Sequence, residues 1–161
     1  MKQKTISKKV ECGGIGLHTA KPIKMTLEPL EEDSGIIFFR SDKGVDIKVN
    51  PDNILKTDYA TVLGTDTIYV STVEHLLSVL YAYGIDNLKI TLDGPEVPIM
   101  DGSVASFCLI LDLAGISELS KNKKIMVVKE AVNIKKGAKF SKIFPSKTPV
   151  SYTHLTLPTK A

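Results

Sequence analysis

Glu74 and His75 stand side by side in Ser71-Thr-Val-Glu-His-Leu-Leu-Ser-Val-Leu80. A carboxylate and an imidazole in one helical turn can divide a hydrolytic task. A neutral imidazole ligates a metal, and an ionised carboxylate beside that metal acts as a general base. The spacing predicts a helix to carry them. Ser71 followed by Glu74 reads as a capping box, in which each side chain satisfies a free backbone donor of the first turn. Val73, Leu76, Leu77 and Leu80 recur at helical spacing and form one apolar stripe. Glu74 and His75 fall off that stripe, in the first turn. There the positive end of the helix dipole favours an ionised carboxylate and disfavours a protonated imidazole. The pair also has a plain structural reading, Glu74 as a cap and His75 as a polar residue of the helix surface.

Other stretches carry weaker chemical signals. Cys12-Gly-Gly-Ile-Gly-Leu-His-Thr-Ala-Lys-Pro22 reads as a glycine-driven turn between strands, with His18 inside it. It is no phosphate loop, because Gly-Lys-Ser/Thr is missing and no helix pattern follows. Glu96 and Asp101 resemble a paired-carboxylate site, but their setting in Asp93-Gly-Pro-Glu-Val-Pro-Ile-Met-Asp-Gly102 favours turn-forming and capping roles. Cys12 and Cys108 fit neither a Cys-x-x-Cys motif nor a disulfide framework, so the expectation is a reducing, cytoplasmic protein with two packing thiols.

Four stretches together resemble one family. Thr72-Val-Glu-His-Leu76 is similar to the zinc-binding helix motif of the UDP-3-O-acyl-N-acetylglucosamine deacetylases, the zinc amidases of lipid A synthesis. Gly14-Ile-Gly-Leu-His-Thr19, Gly84-Ile-Asp-Asn87 and Gly94-Pro-Glu-Val-Pro-Ile-Met-Asp-Gly-Ser103 match the same family in the same order. The resemblance covers roughly residues 3 to 140. It implies removal of an N-acetyl group from a UDP-linked, acylated glucosamine, with zinc as cofactor. His75 would be one zinc ligand and Glu74 the base that takes a proton from the zinc-bound water. Adjacent helical residues point about a hundred degrees apart, which suits one side chain on the metal and its neighbour over the water. His18, Asp58, Ala60 and Thr61 would face the substrate, although Asp58 and Ala60 differ from the residues common at those positions, and His18 also has a plain structural reading as a hydrogen-bonding residue of its loop.

The family takes its other ligands, an His-x-x-x-Asp pair, and its proton-donating histidine from a second, similar α+β domain. This chain holds three histidines, His18, His75 and His154, and no such pair. The resemblance therefore implies that a C-terminal domain is needed to complete the site, and that the 161-residue chain is inactive by itself.

The elements expected to position these residues mix without strict βαβ alternation. That argues for an α+β, two-layer domain: a mixed or antiparallel sheet with two helices packed on one face. Strands are expected at residues 4–11, 23–29, 36–40, 45–49, 59–63, 68–70 and 87–92. The first helix should run from Ser71 to Tyr83 and stop at Gly84. The second, 104–114, should be capped by Ser103 and stop at Gly115. Lys121-Asn-Lys-Lys124 reads as a solvated linker, which closes a first domain at residue 124. Two strands, 125–130 and 131–135, would open a second domain over 125–148.

Residues 149–161 read differently. Val150-Ser-Tyr-Thr-His-Leu-Thr-Leu-Pro-Thr159 matches the in-frame translation of a transposase-type sequencing adapter, so His154 is not recruited as a ligand.

Composition limits the alternatives. Hydrophobic content of 43% suffices for a core, and no apolar run approaches the roughly eighteen residues of a membrane span. A net charge of +3 is too small to argue for a nucleic-acid partner. A non-catalytic α+β module binding RNA or protein is the alternative. The lysines at 121–124, 135, 136 and 139 supply charge for it, yet no aromatics interleave with them to stack bases. A free-standing metal site built on His18 and His75 would lack the four ligands that close a structural zinc site.

Overall fold

Leu88, Ile90 and Leu92 alternate with Lys89 and Thr91, and this period-two pattern builds the strand at the centre of the main sheet. The computed structural model describes residues 1–146. These fall into two compact units, Met1–Lys123 and a second that begins at Lys124, each described separately below. The adapter reading of residues 149–161, His154 included, lies outside the described residues.

The first unit runs β1 (Lys2–Ile6), β2 (Val10–Ile15), β3 (Pro22–Pro29), β4 (Ile36–Arg40), β5 (Val45–Lys48), β6 (Ile54–Lys56), β7 (Val62–Gly64) and β8 (Tyr69–Val70). Then follow α1 (Glu74–Tyr83), β9 (Leu88–Leu92), α2 (Ala105–Ala114) and β10 (Ile116–Asn122). Five strands form one mixed sheet in the order β2-β3-β9-β4-β5, antiparallel except where β4 runs parallel to β9. In that register Leu27 sits beside Ile90, and Phe38 beside both Ile90 and Ile47, so one face is continuously apolar. Leu76, Val79 and Leu80 of α1 and Phe107, Leu111 and Ala114 of α2 join that face in a single buried cluster. The opposite face carries Lys24, Thr26, Lys89 and Thr91, with the Lys89 ammonium over the Phe39 ring at 4.3 Å. The α+β expectation of a sheet with two helices on one face is borne out.

Two smaller sheets flank this core. β6-β7-β8 form a three-stranded antiparallel patch, and β1 pairs antiparallel with β10. The β1–β10 ribbon is tied to the main sheet by buried amides. Asn87 Nδ2 donates to Gln3 Oε1 at 2.9 Å, while Asn87 Oδ1 accepts from the Gly35 N–H at 3.0 Å.

Several expected boundaries move. The strand expected at 4–11 is two strands in different sheets, broken at Ser7–Lys9. Cys12–Ile15 belongs to β2 rather than to the turn, because four consecutive ladder pairs to β3 override the weak strand preference of glycine. Tyr59 cannot extend a strand, since its φ is +60°, and pairing begins only at Val62. Lys121 and Asn122 end β10 instead of forming a linker. Lys121 Nζ lies 2.9 Å from Asp33 Oδ2, and the neighbouring Lys123 Nζ lies 2.9 Å from Asp86 Oδ2. In the second unit, β11 (Val132–Lys136) and β12 (Lys139–Ile143) make an exposed hairpin turning at Gly137; residues 125–130 form no strand.

The layer structure predicts a contrast that urea unfolding of the chain can measure. Leu76→Ala removes a fully buried side chain and should cost about 2–5 kcal/mol. Leu113→Ala, at a position 62% exposed, should stay within about 0.5 kcal/mol of the parent.

Candidate functional site

Helix α1 does not begin with a capping box. Its N-cap position is Val73, and no side chain caps it. Ser71 is engaged elsewhere: its N–H and its hydroxyl both donate to the Pro95 carbonyl, at 2.9 and 3.2 Å, and its own carbonyl accepts from the Val97 N–H at 3.0 Å. Ser71 thus joins the 95–97 segment as a one-residue bridge, parallel to Glu96. The Glu74 carboxylate is left for another partner, the Thr61 N–H at 3.2 Å. Leu76, Val79 and Leu80 bury one side of the helix, so Glu74 and His75 remain half-buried on its first turn. The His75 ring bonds no other described residue; only its backbone carbonyl is used, accepting from the Ser78 hydroxyl at 2.7 Å. At the other end, Gly84 stops the helix in the left-handed region at φ +70°, where its N–H reaches the carbonyls of Leu80 and Tyr81.

Beside this helix start, residues 55–60 and the loop after β2 enclose an open cleft of about 600 Å³. His18, Asp58 and Ala60 line it, together with Thr19, Lys56, Tyr59, Tyr69 and Ser71. Thr61 does not line the cleft; it links the cleft segment to Glu74 through its N–H. Glu74 and His75 lie outside the lining. Tyr69 is held from behind by the buried Arg40, whose Nη1 donates to its carbonyl. Arg40 also forks onto Asp42 at 2.8 and 2.7 Å, and those bonds hold the Asp42 carboxyl below its ordinary range.

The least expected member is Glu96, which is fully buried. It forms no turn and caps no helix. Its Oε1 accepts from the His18 N–H at 3.0 Å and the Thr72 hydroxyl at 2.9 Å. Its Oε2 accepts from the Thr19 N–H at 2.9 Å and the Thr19 hydroxyl at 2.8 Å. Burial pushes its pKa up, but the four donors outweigh that and hold it below the ordinary 4.5. Gly16 is required here, since a Cβ at that residue would stand 2.3 Å from Glu96 Oε2. The sequence shows Glu96 only as half of an apparent pair with Asp101 in a proline- and glycine-rich stretch, with nothing to mark it as buried. Asp101 takes its expected turn-forming role, accepting from the Ser103 N–H at 3.1 Å. Helix α2 has Val104 at its N-cap position with no side-chain cap, and the Ser103 expected there accepts through its hydroxyl from the Ala105 N–H at 3.1 Å, one residue outside the cap.

A sequence profile of the UDP-3-O-acyl N-acetylglycosamine deacetylase (LpxC) family matches residues 3–159. The chain belongs to the LpxC family. Among curated relatives, the UDP-3-O-acyl-N-acetylglucosamine deacetylase of Helicobacter pylori is 57% identical over 145 residues, covering 90% of this chain and 49% of the relative. That of Campylobacter fetus subsp. fetus is 56% identical over 149 residues, covering 92% and 51%. That of Campylobacter jejuni is 53% identical over 154 residues, covering 95% and 52%. The chain spans about half the length of the curated relatives it matches.

Membership focuses attention on metal donors. A catalytic zinc usually takes three protein ligands and keeps one open position. Among the described residues, no three His, Cys, Asp or Glu side chains converge on a point where a metal ion could sit. Among the described residues the His75 ring has no hydrogen-bond partner, its backbone carbonyl alone being engaged by a side chain.

Glu96 makes a pH prediction. A carboxylate with a depressed folded pKa contributes stability that is present above its unfolded value of 4.5 and is lost as pH falls through the folded value. Urea unfolding should find Glu96→Gln destabilised by about 2–4 kcal/mol at neutral pH, because amide hydrogens then face buried donors. Below pH ~4 the gap between variant and parent should narrow. Parallel profiles down to pH ~3 would contradict this assignment.

Proposed function

We propose that the chain carries one half of a zinc-dependent amidase site, which removes the N-acetyl group from UDP-3-O-acyl-N-acetylglucosamine and releases acetate and a free amine. The supporting observation is the pair on the first turn of α1. Glu74 is fixed by the Thr61 N–H, and beside it stands an imidazole that no other described residue engages. The printed names of the relatives supply the substrate, a UDP-linked acylated amino sugar.

In this reading Glu74 accepts the proton of the attacking water as the water adds to the amide carbonyl, a role worth about 10²–10⁴ in rate. The bond from the Thr61 N–H orients that carboxylate at the start of the helix. Zinc, when bound, supplies Lewis-acid polarisation of the carbonyl and lowers the pKa of water. His75 would be one of its ligands, with further donors, and the acid that protonates the leaving amine, from the part of the relatives that this chain does not span. His18, Asp58 and Ala60 line the cleft that would receive the substrate, and Thr61 connects that cleft to the base.

The reading also sets the reaction in the cytoplasm, with no nucleic-acid partner. Cys12 and Cys108 are free thiols, in keeping with a reducing setting.

Two preparations test the proposal. Residues 1–146 joined to the remaining half of the Helicobacter pylori relative should deacetylate the UDP-sugar, and Glu74→Ala should lower kcat at least ~100-fold. The 161-residue chain alone should show no turnover above its own Glu74→Ala control. An undiminished rate in the Glu74→Ala chimera, or turnover by the chain alone, would overturn the reading.

A further inference from the structure

We infer that Glu96 is a positioning residue for the Glu74–His75 pair, its carboxylate clamping the His18–Thr19 loop against the segment that launches α1. The inference takes those two residues as the reacting groups and so rests on the reading above.

Both oxygens of Glu96 are used, and Oε1 is shared between the two segments, taking one hydrogen bond from the His18 N–H and one from the Thr72 hydroxyl. Thr72 lies in the left-handed region at φ +58°. A β-branched residue is a conformational outlier there and persists only where its surroundings over-determine it. The surroundings do so: Thr72 is buried and held through its hydroxyl, and Ser71 before it is pinned on both sides to Pro95 and Val97. Two residues further on stands Glu74, whose carboxylate takes the Thr61 N–H. One line of contacts therefore runs from Glu96 through Thr72 and the first helical turn to Glu74, and from there to the cleft segment. A cap alone would not need a strained backbone, and a loop tether alone would not need Thr72. The arrangement sets the direction in which the helix start, and with it Glu74 and His75, meets the cleft.

Amide hydrogen exchange and His ring resonances of the 161-residue chain test this without any turnover. In Glu96→Gln, exchange protection of the Thr61 amide should fall roughly tenfold and the His75 ring signals should move, while amides of β3 and β9 keep their protection. Thr72→Val replaces the hydroxyl with a methyl group and should give the same pattern at roughly threefold, which keeps the test open if Glu96→Gln does not fold. Thr72→Ser retains the hydroxyl and should restore the parent His75 signals.

Loss of protection confined to His18 and Thr19, with Thr61 and His75 unmoved, would overturn the inference and leave Glu96 as a loop tether. Equal loss across β3 and β9 would overturn it in favour of a general stability role. An inactive chimera would sink the deacetylase reading while leaving these local readouts to stand or fall by themselves.

Discussion

A carboxylate stripped of water is tolerated only when its lone pairs meet donors, and Glu96 meets four from two separate segments. Much of the local architecture follows from that demand. Residue 16 must be glycine for the loop to close over the carboxylate, and Thr72 must hold an unfavourable backbone to present its hydroxyl. The helix that follows starts without a side-chain cap, because the residue that would cap it is bonded to the 95–97 segment. The first turn of α1 is thereby set by tertiary contacts rather than by local capping. Its carboxylate and imidazole are left to face outward.

The sheet and the second helix provide the rigid backing. Leu76, Val79 and Leu80 anchor α1 to the apolar face built by β3, β9 and β4, so the outward residues of its first turn are placed by a packed core. Arg40 adds a polar strut from β4 to the carbonyl of Tyr69, on the wall of the cleft. Cleft wall and helix start thus lean on one sheet. That is the arrangement a site needs if its groups are to be pre-oriented.

Features dictated by local chemistry were legible in the sequence. The alternation in β9, the apolar stripe of α1 and the left-handed stop at Gly84 each depend on neighbouring residues alone. Features dictated by distant partners were not. β10 is a strand because Ile116, Ser117 and Glu118 pair with Ile6, Thr5 and Lys4, while its last residues, Lys121 and Asn122, read only as part of a solvated linker. Ser71 and Glu74 have the spacing of a capping box, yet each finds a better partner from another segment. Glu96 was legible only as a turn residue, since a buried carboxylate is recognised by donors that lie 24 and 77 residues away. The motif resemblance located Glu74, His75 and His18; it gave no sign that a fourth residue ties their segments together.

The proposed function requires the chain to present one donor to a metal site that other donors must complete. Zinc retained by the purified 161-residue chain after exhaustive dialysis tests that most directly. A single imidazole predicts far less than one zinc per chain, with no difference between the parent and His18→Ala. Stoichiometric zinc that is retained by the parent and lost in His18→Ala would contradict the account and mark a free-standing metal site between the loop after β2 and the start of α1.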